Sequence, residues 1–91
     1  MSYNYISTSV ATNVKAQSAK LNKIIISSMP ASSTIDIYDH ASANTNPIFS
    51  LVAADIKTHE IQFDTSMQNG IRVVTAGVTP VKMLVIFDEL I

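Results

Sequence analysis

The sequence predicts an all-β protein, an antiparallel β-sandwich or jelly roll with an extended N-terminal arm. Three observations lead there. Short runs rich in β-branched and aromatic residues recur roughly every 8–14 residues, turn-forming residues separate them, and no stretch sustains a helical period. Alternating strand and helix signals, which mark a parallel sheet, are missing.

Residues 1–20 are rich in Ser, Thr, Asn and Ala with isolated apolar positions. This composition suits an extended arm or an edge strand, with Val10 and Val14 as candidate anchors. Residues 1–14 carry no charge and few large apolar groups. Their removal is therefore expected to leave a β domain over 21–91 folded while weakening docking to a neighbour.

Leu21 to Ser28 contains three consecutive β-branched residues, Ile24, Ile25 and Ile26, and reads as a buried strand ended by Met29-Pro30, because proline supplies no ladder donor. Thr34 to Asp39 alternates, with Ile35 and Ile37 on one face and Thr34, Asp36 and Tyr38 on the other, as in a half-solvated antiparallel strand. His40 to Pro47 is a polar loop. Ile48 to Ala53 reads as the next strand, although Leu51 to Ala54 also fits a short helical turn. His59 to Phe63 follows, and Asp64 to Gly70 is rich in turn formers, with Asn69-Gly70 accepting positive φ at little cost. Ile71 to Thr75 and Val81 to Phe87 complete six strands, and the N-terminal region supplies a seventh or eighth.

The final strand places apolar groups on both faces. Val81, Met83, Val85 and Phe87 share one face, and Lys82, Leu84, Ile86 and Asp88 share the other. The face carrying Lys82 and Asp88 is expected to be the outer one. Leu84 and Ile86 gain nothing there by meeting water, since burying such a side chain is worth roughly 1.5–3 kcal/mol. They read as an oligomer interface, or as residues covered by the N-terminal arm of the same chain.

Composition points the same way. Of 91 residues, 47% are hydrophobic and only 14% charged, against roughly 25% charged in ordinary soluble domains, so part of the exterior is expected to be covered by protein. Lys15, Lys20 and Lys23 are the only charges before Asp36, leaving +3 on residues 1–34 and −4 on the rest. Three spread lysines do not make the dense basic patch of a nucleic-acid binder. They are either solvated or face an acidic neighbouring surface, which makes Lys15 and Lys20 candidate partner-binding residues. There is no cysteine, hence no disulfide framework. No apolar run approaches the ~20 residues that cross a bilayer, and no signal peptide is expected.

The chemistry of an enzyme is not expected. Asp39-His40 and His59-Glu60 are the only pairs of adjacent histidine and carboxylate, and neighbours along a strand point to opposite faces. No metal site, catalytic residue or cofactor is assigned. No Gly-x-Ser-x-Gly elbow occurs, and the two glycines, Gly70 and Gly77, cannot make a phosphate-cradling loop. Tyr3, Tyr5 and Tyr38 are candidate partner-binding residues. With nearby Asn and Asp groups they could form a sugar-stacking platform, the basis of an alternative reading as a carbohydrate- or receptor-binding module using Tyr38 and the 40–47 loop.

The order Leu21-Asn-Lys-Ile-Ile-Ile26, Ile35-Asp-Ile-Tyr-Asp39, a polar loop, Ile61-Gln-Phe63, Asn69-Gly-Ile-Arg-Val73 and Val81 to Phe87 resembles small β-sandwich virion proteins of tailed bacteriophages. In such proteins a strand ending in Tyr-Asp precedes a variable loop, and an Asn-Gly-Ile stretch opens the penultimate strand. The chain carries fewer glycines than these proteins, notably around Ala31 to Ser33. The resemblance implies a non-enzymatic structural protein of the virion, such as a capsid decoration, cement or tail-associated subunit. It further implies a homo-oligomer, most often a trimer, docking on a major capsid or tail protein.

Overall fold

A computed structural model of the chain describes residues 2–53, 59–77 and 80–89. Eight strands follow in order: β1 (Ser2–Thr8), β2 (Ala11–Lys15), β3 (Ala19–Ser28), β4 (Thr34–Tyr38), β5 (Pro47–Val52), β6 (Glu60–Met67), β7 (Ile71–Ala76) and β8 (Val81–Glu89). They form two four-stranded antiparallel sheets of order β1-β8-β3-β6 and β2-β7-β4-β5. First pairs with last, second with seventh, third with sixth and fourth with fifth, as in one long hairpin rolled up on itself. That connectivity is the jelly roll, a two-sheet solution to the problem of exposed strand edges.

The segment expected as an arm or edge strand is two edge strands, not an arm. β1 pairs along its whole length with β8, from Ser2 opposite Phe87 to Thr8 opposite Val81. β2 pairs with β7 in the other sheet. Residues 2–15 thus straddle the sandwich, and Ile6 is buried in the core. Val14 packs partly against that core, whereas Val10, the other candidate anchor, is 65% exposed. What holds the crossover is Thr75 of β7, whose buried hydroxyl reaches the carbonyl of Thr8 at 2.7 Å and that of Val10 at 3.1 Å. A hydroxyl on the inner face of a strand needs such partners to be buried without penalty.

The core lies between the sheets. Ile6, Leu21, Ile24, Ile26, Met67, Val81, Met83, Val85 and Phe87 come from the first sheet, and Ile35, Ile37, Ile71 and Val73 from the second. Phe49 of β5 and Phe63 of β6 bridge the layers edge to face, with ring centroids 5.0 Å apart.

Two register irregularities shape the first sheet, and the one on β3 explains how its core residues reach one face. On β3, Leu21 lies opposite Phe87 and Lys23 opposite Ile86, so one residue is extra there and the period shifts. Leu21 before the bulge and Ile24 and Ile26 after it all point inward, and Ile25 is turned outward. The buried run expected at Ile24 to Ile26 is therefore buried at only two of its three positions.

On β6, Asp64 has φ of 48° where the register against β3 breaks. The turn expected over Asp64 to Gly70 is shorter for that reason: Asp64 serves a bulge, the strand continues to Met67, and only Gln68 to Gly70 reverse the chain. Aspartate tolerates the left-handed conformation better than most residues, so a turn former and a bulge former look alike in sequence. The strand expected over Ile48 to Ala53 forms as Pro47–Val52, and Ala53 is in a 3₁₀ turn, so the helical alternative holds at that one described position. Ala54, the last residue of that alternative, lies outside the described residues.

The reversals are tied down by side chains. Asp39 accepts the backbone N–H of Gln68 at 3.2 Å and of Asn69 at 2.8 Å. Gly70, with φ of 141°, passes so close to the end of β2 that a Cβ would stand 2.5 Å from the Lys15 carbonyl oxygen. Backbone cannot retreat as a flexible side chain can. In the turn after Pro30, Ser32 takes φ of 65° without being glycine, and Ser33, buried, bonds the Pro30 carbonyl through both its N–H and its hydroxyl.

Two predictions follow from the integral N-terminal strands. Ile6→Ala should lower unfolding stability by about 2–5 kcal/mol, and deletion of residues 1–14 should abolish the cooperative thermal transition seen by circular dichroism, because each sheet loses an edge strand. A truncated chain that melts like the intact one would restore the arm. Gly70→Ala should destabilise by at least ~1 kcal/mol in a urea titration, since the added methyl meets backbone in a disfavoured conformation.

Candidate functional site

The two outer faces of the sandwich differ in chemistry. On the second sheet, the outward residues bond one another: Ser50 Oγ donates to Asp36 Oδ1 at 2.6 Å, Arg72 Nε donates to Asn44 Oδ1 at 2.8 Å, and the Arg72 guanidinium also reaches Asn13 Oδ1. Tyr38 stands on this face opposite Arg72. The loop beside it is internally bonded, with His40 Nδ1 accepting the backbone N–H groups of Ser42 at 3.1 Å and Ala43 at 3.0 Å. His40 thus organises its own loop.

On the first sheet the period-two argument for the last strand holds. Val81, Met83, Val85 and Phe87 are buried, whereas Leu84 and Ile86 point outward and are half-buried. The register then assembles a surface that crosses the sheet. Tyr5, Leu84, Ile25 and Glu60 form one row, and Tyr3, Ile86, Lys23 and Gln62 form the next. Opposed residues on one face lie about 4.5–5.5 Å apart at Cβ, so Tyr3, Tyr5, Ile25, Leu84 and Ile86 form one contiguous apolar patch. Ser2, Tyr3, Leu84 and Ile86 line a shallow depression within it.

Tyr3 and Tyr5 are 74% and 54% exposed. β1 lies beside β8 and not over it, so the N-terminal segment flanks Leu84 and Ile86 without covering them. It enlarges the patch instead.

The patch is polarised across the sheet. Apolar and aromatic groups run to the β1 edge, and towards β6 they give way to Lys23, whose Nζ lies 3.1 Å from Glu60 Oε1. Along the strands the patch is bounded by Lys82 at one end and by Lys20 and Asp88 at the other, which face each other across β3 and β8. Asn22 Nδ2 donates to Asp88 Oδ2 at 3.0 Å, and this hydrogen bond chiefly holds the Asp88 carboxyl below the ordinary aspartate range.

The candidate residues therefore divide. Tyr3, Tyr5, Leu84 and Ile86 share one surface, and Lys20 lies on the same face beyond it. Lys15 is on β2, and its Nζ is 3.6 Å from Glu89 Oε2, an ion pair within the chain that links the two sheets. Tyr38 is on the opposite side of the sandwich from Tyr3 and Tyr5, so no single platform of three tyrosines exists. Ile25 belongs to the patch and is hidden in the sequence by the bulge that precedes it. Among the described residues, no group of three His, Asp or Glu side chains is placed to hold a metal ion.

The face assignment can be tested by exchange at neighbouring positions. Val85→Asp buries an unpaired carboxylate, costing several kcal/mol against a total stability of only ~5–15 kcal/mol, and should give an unfolded chain. Leu84→Asp puts the same charge on the outer face and should leave the β-sheet circular dichroism spectrum unchanged. A folded Val85→Asp beside an unfolded Leu84→Asp would mean that the faces are reversed.

Comparison with known proteins gives no match to any family model, curated protein or solved structure.

Proposed function

We propose that this protein is a non-enzymatic structural subunit that self-associates through the outer face of its first sheet. One observation carries the reading: Tyr3, Tyr5, Ile25, Leu84 and Ile86 form a contiguous apolar surface on a strand face that a lone domain has no reason to make apolar. Burial of that surface between copies, or against a larger assembly, recovers the hydrophobic free energy that exposure forfeits. The opposite face mixes polar groups that bond one another with Ile48 and Val52 exposed at its β5 edge.

The setting proposed for this subunit is the virion, as a capsid decoration, cement or tail-associated protein. The residue order set out above supports it through its resemblance to phage virion proteins. The jelly roll is also an architecture on which viral capsid and lectin domains are built, although a fold of this kind hosts many functions. The carbohydrate-binding alternative loses its shared tyrosine platform, because Tyr38 is separated from Tyr3 and Tyr5 by the thickness of the sandwich.

Light scattering at micromolar concentration should give a mass that is a multiple of the 9.9 kDa protomer. Leu84→Asp and Ile86→Asp should each lower that mass while leaving the protomer folded. A wild-type protein that stays monomeric, or an assembly indifferent to both substitutions, would overturn self-association through this face.

A further inference from the structure

A jelly roll has four strand edges, and three of those in this protein carry features that discourage pairing with another chain. β6 presents Glu60 and has the Asp64 bulge, where its register against β3 breaks. β5 begins with Pro47, which has no N–H, and its register against β4 shifts between Ile37 and Tyr38. β2 is five residues long, shifts register between Asn13 and Lys15, and ends on a lysine. Short strands, bulges, prolines and edge charges are the usual means of blocking edge-to-edge association.

β1 has none of these. Its sequence, Ser-Tyr-Asn-Tyr-Ile-Ser-Thr, contains no charge, proline or glycine. Its register against β8 is unbroken over seven pairs, and β8 is its one ladder partner among the described residues. A regular strand of this kind leaves a row of backbone donors and acceptors along its outer side.

We propose that the β1 edge is a docking site for β1 of a second copy, antiparallel across a twofold axis, joining two first sheets into one eight-stranded sheet. This deepens the self-association proposed above and rests on it. The occupant is a second copy for two reasons. An uncharged strand is complementary to itself, whereas an acidic or basic strand would find no opposite charge on it. The apolar patch also runs up to this edge and fades towards β6, so a join at β1 makes the patches of two protomers continuous.

The register follows from the period of two. Full overlap of Ser2–Thr8 with its twofold mate centres the pair on Tyr5, with Tyr3 opposite Ser7 and Asn4 opposite Ile6 of the second copy. All the outward tyrosines then stay on one face, whereas a slip of one residue would turn one copy over. A twofold join gives even-numbered assemblies, in place of the trimer that the phage resemblance implies.

The chain has no cysteine, so any single introduced cysteine can form a disulfide only between copies. In the full-length protein, Tyr5→Cys should be converted by mild oxidation to a covalent dimer that keeps the β spectrum. Residues opposite themselves on the axis fall within the roughly 4.4–6.8 Å Cα separation that a disulfide spans, whereas Tyr3→Cys places its sulfur-bearing residues roughly 14 Å apart and should stay uncrosslinked. Leu84→Asp with unmodified β1 reads out the face separately. If Leu84→Asp dissociates the assembly but Tyr5→Cys fails to crosslink, the face reading stands and the edge join is wrong. Crosslinking of Tyr3→Cys in preference to Tyr5→Cys would also overturn the proposed join. If the wild-type protein is monomeric and neither variant crosslinks, both fail together.

Discussion

The structure depends on the placement of β8, which is hydrogen-bonded on both sides, to β1 and to β3, and buries every inward side chain from Val81 to Phe87. Its ladder partners come from the first third of the chain, so the roll closes only when the two ends meet. Such non-local pairing incurs loop-closure entropy before it gains contacts, which is characteristic of slow-folding β topologies. It also explains why the N-terminal strands cannot be a detachable arm. Without β1, β8 becomes an edge with an apolar outer face, and Ile6 leaves the core.

A sandwich of two sheets has two outer faces, and here they have been given different chemistry. The second sheet turns out Asp36, Ser50, Asn13 and Arg72, which satisfy one another, with Ile48 and Val52 exposed at its β5 edge. The first turns out two tyrosines and three aliphatic residues in adjacent rows. With only 14% charged residues in the chain, there is little charge to spread over both faces, and what exists on the first sheet is placed at the margin of the patch. The proposed association through that face therefore rests on how the charges are distributed rather than on any single residue.

The edges add a second constraint. Protection by proline, charge, bulge or shortness appears at β2, β5 and β6, and the unprotected edge is the one that borders the apolar patch. An edge join sets the two faces side by side without covering them, so face and edge are separate contacts that meet along β1, where Tyr3 and Tyr5 belong to both.

Much of this was legible in the chain. The inward and outward faces of β4, β7 and β8 follow from alternation alone, because side-chain direction in a strand is a local property with a period of two; Leu84 and Ile86 were found in that way. The reversal at Asn69-Gly70 is legible for the same local reason, since glycine accepts the positive φ found there, whereas the close Lys15 carbonyl is visible only in the fold. Tertiary structure alone decided which strands pair. It placed Tyr3 and Tyr5 beside Ile86 and Leu84, put Tyr38 on the far side, put a register shift at Asp64, and used the extra residue near Asn22 as the bulge that brings Leu21, Ile24 and Ile26 to one face. Pairing is set by the summed fit of many distant residues, and a bulge is visible only against its partner strand. A sequence read along its own length contains the alternation but not the neighbour.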